Sequence, residues 1–276
     1  MLGEKMKKLA ISTILVLVVA LVFATAAGAI TWGEPDDGEH PFVGTLLFVQ
    51  NGIGYYSCSG TLLSPTVMLT AGHCVEEFGN VNDVTYVRFE EDAMSNYDDY
   101  ASTQEWLNNE WILAETVIPH PQYDDFAEFP YSYDIGLVLL SEPVVMSEYG
   151  ALPEPDFLAG LKAQEKSGFV SVGYGMQSNL PSSYQDDYMR YKGTVRLLEV
   201  KSFLTAKGDA SVRFSNNPGI GGGTCFGDSG GPTFFKDSNI VVSVTSFGIT
   251  GHCIGMDFNY RTDIPDSLDF INAYMP

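Results

Sequence analysis

Residues 224–232 read "TCFGDSGGP", one serine set between an aspartate and two glycines, four residues after a cysteine. Within that stretch Gly227 to Gly231 also spells G-x-S-x-G, the nucleophile elbow of folds in which strands and helices alternate. One serine, Ser229, therefore poses two architectures, and the surrounding residues choose between them. A serine hydroxyl attacks only when a base takes its proton and a third group holds the tautomer of that base. The chain offers four histidines, His40, His73, His120 and His252. An elbow requires the order Ser, acid, His, and downstream of Ser229 that order leaves only Asp237 and His252.

The rest of the chain argues against alternating helices. Short runs rich in β-branched and aromatic residues, "GTLLFV", "VTYVRF", "IGLVLL", "GFVSVGY", "GTVRLL" and "NIVVSVTSF", are separated by Gly, Pro and Asn. Many short strands with turn signals between them predict a sandwich or barrels. One stretch differs. In "DIPDSLDFINAY" a proline sits in a first turn that Asp263 or Asp266 could cap, and Leu268, Ile271 and Tyr274 recur at three-residue spacing, which predicts a short C-terminal helix. Residues 144–160, with few strand signals, read as the connection between two β units.

At the other end, Lys5, Lys7 and Lys8 precede the apolar run "LAISTILVLVVALVF", and "ATAAGA" follows it. Basic, apolar and small segments in that order are a secretory signal peptide, residues 1–29, with cuts open after Ala26 or Ala29. The expected location is extracellular, with no membrane attachment once the leader is gone. The net charge is −21, which disfavours nucleic acid and anionic membranes as partners. Four cysteines in an exported chain predict disulfides, and three pairings are open. No C-x-x-C pair and no H-E-x-x-H helix signals a zinc hydrolase.

The other order, His, Asp, Ser, is met by "TAGHC" (70–74), "DIGLVLL" (134–140) and "GDSGGP" (227–232). Together these motifs resemble the chymotrypsin/trypsin family of serine peptidases, from about Ile30 to the C-terminal helix. The resemblance implies an all-β fold of two antiparallel six-stranded barrels, about 30–145 and 146–276, with the short helix last and the active site in the cleft between them. It implies a secreted serine endopeptidase acting on polypeptides as a monomer and requiring no cofactor, with His73 as base, Asp134 as its orienter and Ser229 as nucleophile. The alternative is a silent homologue used as a binding module. The backbone N–H groups of Gly227 and Ser229 would form the oxyanion hole.

Further expectations come from the same resemblance. Cys58 would pair with Cys74 and Cys225 with Cys253, the first closing a loop of about fifteen residues worth roughly 3 kcal/mol. A new amino terminus at Ile30 would pair with Asp228 and order the oxyanion loop, and a cut after Ala29 would create that terminus without a pro-segment. Gly223 would lie at the base of the primary specificity pocket, with Ser246, Phe247 and Gly248 on its wall and Ser246 supporting Asp134. Asp257 or Phe258 would fall on the opposite wall: Phe258 inside would narrow the pocket to small residues, Asp257 inside would restore a basic preference, and with neither inside apolar residues would fit. Since no acid occupies position 223, an uncharged substrate side chain is expected. Glu90, Glu91 and Asp92 form a weak calcium candidate, with a solvated acidic loop as the favoured reading.

Overall fold

The computed structural model of the chain describes residues 30–50, 53–76, 84–124, 132–178, 184–200 and 211–276. The expected leader, residues 1–29, lies outside the described residues. After the short β1 (Glu34–Pro35), which joins the sheet of the second unit, the N-terminal unit consists of β2 (Val43–Gln50), β3 (Ile53–Leu62), β4 (Val67–Thr70), β5 (Val84–Arg88), β6 (Ile112–Pro119) and β7 (Gly136–Leu140). Strands β2 to β7 close an antiparallel barrel in the order β2-β3-β4-β7-β6-β5. Its filling is apolar, with Leu46, Phe48, Leu62, Met68, Leu137 and Val138 all fully buried.

The second unit holds β8 (Phe169–Gly173), β9 (Tyr191–Val195), β10 (Leu197–Glu199), β11 (Ser211–Asn216), β12 (Pro232–Phe234), β13 (Val241–Gly248) and β14 (Gly255–Arg261). They form one sheet in the order β1-β9-β8-β12-β13-β14-β11-β10. Strand β9, next to β1 at one end, and β10, at the other end, are a single stretch of chain bent at Arg196. The first half pairs with β8 (Phe169 opposite Val195) and the second with β11 (Leu197 opposite Phe214). At the bend Ser215 N–H donates to Arg196 O and Arg196 N–H to Ser215 Oγ, both at 2.9 Å. The sheet thus rolls back on itself through a bent strand, where the first barrel closes by an ordinary ladder. The two units share one hydrophobic core, and Phe42 meets Phe234 edge-on at 5.8 Å across the junction.

Three helices matter: α1 (Gly72–Val75), α2 (Thr103–Glu110) and α3 (Pro265–Asn272). In α3 proline occupies the first turn as the sequence predicts, but Ile264 is the N-cap and supplies no side-chain bond. The expected cap, Asp263, turns inward and accepts from Arg261 Nε (2.7 Å) and Leu158 N–H (2.7 Å). A buried guanidinium is a stronger partner for a carboxylate than a helix end in water. The unexpected helix is α2, whose Ser102 Oγ accepts Glu105 N–H at 3.2 Å. Its Trp106 packs under the buried Arg88, which also pairs with Glu110 at 3.1 Å.

Candidate active site

Antiparallel pairing brings the first two expected residues together. Strand β4 ends at Thr70 directly opposite Gly136, where β7 begins. Residues just past the end of β4 therefore stand beside residues just before β7, and these are His73, on α1, and Asp134. Asp134 is fully buried. His73 Nδ1 lies 2.9 Å from its Oδ2 and 3.0 Å from Oδ1, and the His73 backbone N–H donates to Oδ1 at 2.8 Å. Ser246 Oγ donates to Oδ2, as expected for a supporting hydroxyl. Burial alone would raise the pKa of Asp134, but the adjacent imidazole and the bonds from His73 and Ser246 outweigh it and hold the carboxyl below its ordinary value.

The serine loop arrives from the second unit and is fastened from both sides. Ser59 N–H of β3 donates to Ser229 O (2.8 Å), and Gly230 N–H donates to Thr245 O of β13 (2.8 Å). Ser59 Oγ donates to Gly227 O (2.9 Å) and accepts Tyr174 N–H (3.0 Å). Gly230, at φ +75°, backs so closely onto the end of β4 that a Cβ would lie 2.0 Å from Thr70 Oγ1. That contact seats Ser229 against the strand leading into His73, and both residues line one cleft of about 620 Å³. Among the described hydrogen bonds, the N–H groups of Gly227 and Ser229 donate to nothing within the fold. Gly230→Ala should destabilise the chain by at least about 1–3 kcal/mol, the cost of left-handed backbone for a non-glycine residue, and slow any chemistry at Ser229. Thermal melts and the rate of serine labelling check both effects.

The expected pocket needs correction. Gly223 does not line the cleft; it is buried against Asn216, where a Cβ would come within 2.2 Å of Asn216 Cγ. Phe258 is fully buried behind the lining residue Phe247, on which it stacks at 4.8 Å, and does not itself line the cleft. The residue that lines it is Asp257, together with Ser246, Gly248 and Thr224. Asp257 accepts from Asn216 Nδ2 (2.7 Å) and Thr224 N–H (2.6 Å), and burial pushes its carboxyl up to about 6. Asp257 therefore supplies an acid to the pocket floor, with Asn216 holding it from behind, which is the arrangement that the resemblance ties to a basic rather than an uncharged substrate side chain. Sequence reasoning missed Asn216 and Thr224, which belong to no motif.

The remaining expectations divide. Both disulfides form, with Cα–Cα separations of 6.3 Å for Cys58–Cys74 and 5.1 Å for Cys225–Cys253. Asp228 is buried and accepts from Gly175 N–H (2.8 Å) and Cys225 N–H (2.9 Å). Desolvation, reinforced by Asp257 and Asp186 and opposed by those two bonds, raises its pKa to about 7. Ile30 is also buried, but against Tyr191, and among the described contacts none joins it to Asp228. Its neighbour Thr31 donates to Asn216 Oδ1 (2.8 Å), so the N-terminal segment is seated on the back of the pocket floor. Glu90, Glu91 and Asp92 do not converge: Glu90 O accepts Tyr174 OH, Glu91 Oε1 accepts Asp37 N–H, and Asp92 Oδ1 accepts Met94 N–H. Among the described residues the one group with metal-ligating atoms in reach is Cys58, His73 and Cys74, and its cysteines are bridged. His120 is buried between Tyr133 and Phe270, a packing role.

Two β units meeting at a cleft, a histidine backed by a buried carboxylate on one and a glycine-framed serine on the other, define a class of all-β serine hydrolases. The family model described as Trypsin matches residues 30–271, and the chain belongs to that family of serine peptidases. Similar proteins include serine protease 1 and serine protease 2 of Drosophila melanogaster, each 27% identical over 234 residues, covering 82% of this chain and 78% of theirs. CLIP domain-containing serine protease B15 of Anopheles gambiae is 27% identical over 227 residues, 78% of this chain, and the match spans 60% of that protein's length. A solved structure of HL collagenase shares the fold, with a TM-score of 0.64 at 19% identity, covering 90% of this chain and 98% of that one.

Proposed function

We propose that the protein is a secreted serine endopeptidase in which His73 takes the proton of Ser229 Oγ as that oxygen attacks a peptide carbonyl. His73 returns the proton to the leaving amine, and water then releases the acyl-enzyme by the same steps in reverse. Asp134 holds the imidazole through Nδ1 and stabilises its cationic form. The unspent N–H groups of Gly227 and Ser229 receive the oxyanion. The observation that carries this reading is the seating of Gly230 on Thr70, which brings the serine loop to the strand leading into His73. The substrate is a polypeptide, cut by a monomer, with a cationic side chain directed to Asp257.

Secretion rests on the leader; no helix among the described residues is long and apolar enough to cross a membrane. Cleavage after Ala29 would free the amine of Ile30. Asp228 is a buried carboxyl whose described hydrogen bonds come only from backbone N–H groups, and a nearby ammonium would ionise it and tighten the loop beside Ser229. In the described structure Ile30 is buried against Tyr191.

Intact mass of the secreted protein after exposure to a fluorophosphonate tests both halves of the proposal. One adduct is expected, on a chain beginning at Ile30, and none on His73→Ala. An unlabelled chain with that same start would favour the silent homologue. A fully labelled chain beginning at Ala27 would rule out the Ile30 terminus.

A further inference from the structure

The Cys225–Cys253 bridge carries a feature that the chemistry above does not use. Each of its cysteines is followed by a large apolar residue left in water, Phe226 at 53% exposure and Ile254 at 43%. With the cysteine Cα atoms 5.1 Å apart, the bridge holds the two side chains as a pair, and both line the cleft that contains His73 and Ser229. Neighbouring bonds hold the backbone of both residues in place. Met176 N–H donates to Phe226 O at 2.8 Å, and Thr250 Oγ1 both donates to Ile254 O (2.9 Å) and accepts Ile254 N–H (3.3 Å). Met176, Phe247 and Met256 extend the apolar lining inward. Other large apolar residues, Val145 and Tyr184 among them, are more exposed; what distinguishes Phe226 and Ile254 is their place in the reactive cleft, where a bound segment would remove them from water.

We propose that Phe226 and Ile254 form a rigid clip that grips a large apolar side chain of the polypeptide substrate, next to the residue held by Asp257. The inference rests on the peptidase reading above. Continuity with the reactive cleft makes the substrate the occupant. The acids Asp186 and Asp257 in the same wall disfavour acidic segments. A backbone fixed in advance by a disulfide has little loop ordering left to do on binding, which is what a recognition surface requires.

The test uses the secreted protein and matched fluorogenic peptides with lysine at the pocket position. Residues on either side of that lysine are Leu and Phe in one peptide and Ser and Gly in the other. The apolar peptide should be cut with a kcat/KM about tenfold or more higher, the range expected of an apolar pocket. In Phe226→Ser/Ile254→Ser that ratio should collapse to about twofold or less, while Phe226→Leu, which keeps an apolar surface, should retain it. Equal cutting of both peptides by the native protein, or a ratio that survives in the double variant, overturns the clip. A concentration-dependent dimer that the double variant abolishes would assign the surface to a second copy and also overturns it. A protein that cuts neither peptide and takes no fluorophosphonate refutes the peptidase reading itself, whereas a labelled protein cutting both equally refutes the clip alone.

Discussion

Ser229→Ala is expected to lower peptide hydrolysis by about 10⁶-fold and to abolish fluorophosphonate labelling, with the melting temperature unchanged. The contacts that hold residue 229 in place are made by its backbone, with Ser59 N–H donating to Ser229 O, and alanine keeps them. Only the attacking oxygen is lost. His73→Ala should cost about the same, and the double variant little more than either single one, because nucleophile and base act as one device and their effects do not add. Steady-state rates of the three variants, with a thermal melt for each, check this. Undiminished hydrolysis by Ser229→Ala would remove the basis for assigning the reaction to this cleft.

Asp257→Ser should lower the ratio of kcat/KM for a lysine peptide over its methionine counterpart by on the order of 10²-fold, the loss expected when one partner of a buried charge pair is removed. Serine removes the charge yet leaves room for water to satisfy the two donors that face it, Asn216 Nδ2 and Thr224 N–H. The pH dependence has a definite sign. Burial raises the Asp257 carboxyl to about 6, so it is neutral below that value and anionic above it. In the native protein the lysine preference should therefore strengthen as pH rises through about 6, and in the variant it should not. Paired peptide assays from acid to neutral pH measure both, and a lysine preference untouched by the substitution would exclude Asp257 from recognition.

The motifs made the reactive centre legible because each is short, and backbone geometry does the rest. "TAGHC" follows β4 and "DIGLVLL" opens into β7, so pairing Thr70 with Gly136 is enough to join His73 to Asp134. "GDSGGP" carried its own constraint in Gly230, which tolerates no Cβ. The pocket was harder to read for a reason of period. In a strand successive side chains face opposite ways, so a one-residue error in β14 exchanges Asp257 for Phe258 and turns an acid wall into an apolar one. Helix α2 carried a signal, "STQE", a serine three residues before a glutamate. It was hidden because its two buried residues, Trp106 and Leu107, are adjacent and make no helical period. The acidic run 90–92 named its oxygens without revealing that each serves a different neighbour.

Ser59 gives the architecture a consequence of its own. One residue of β3 holds Ser229 O and Gly227 O and receives Tyr174 N–H, so a strand of the first unit shapes the loop of the second. Neither half of the chain carries a finished reagent. The reactive geometry belongs to the junction, and the pose of one half upon the other is itself a determinant of rate.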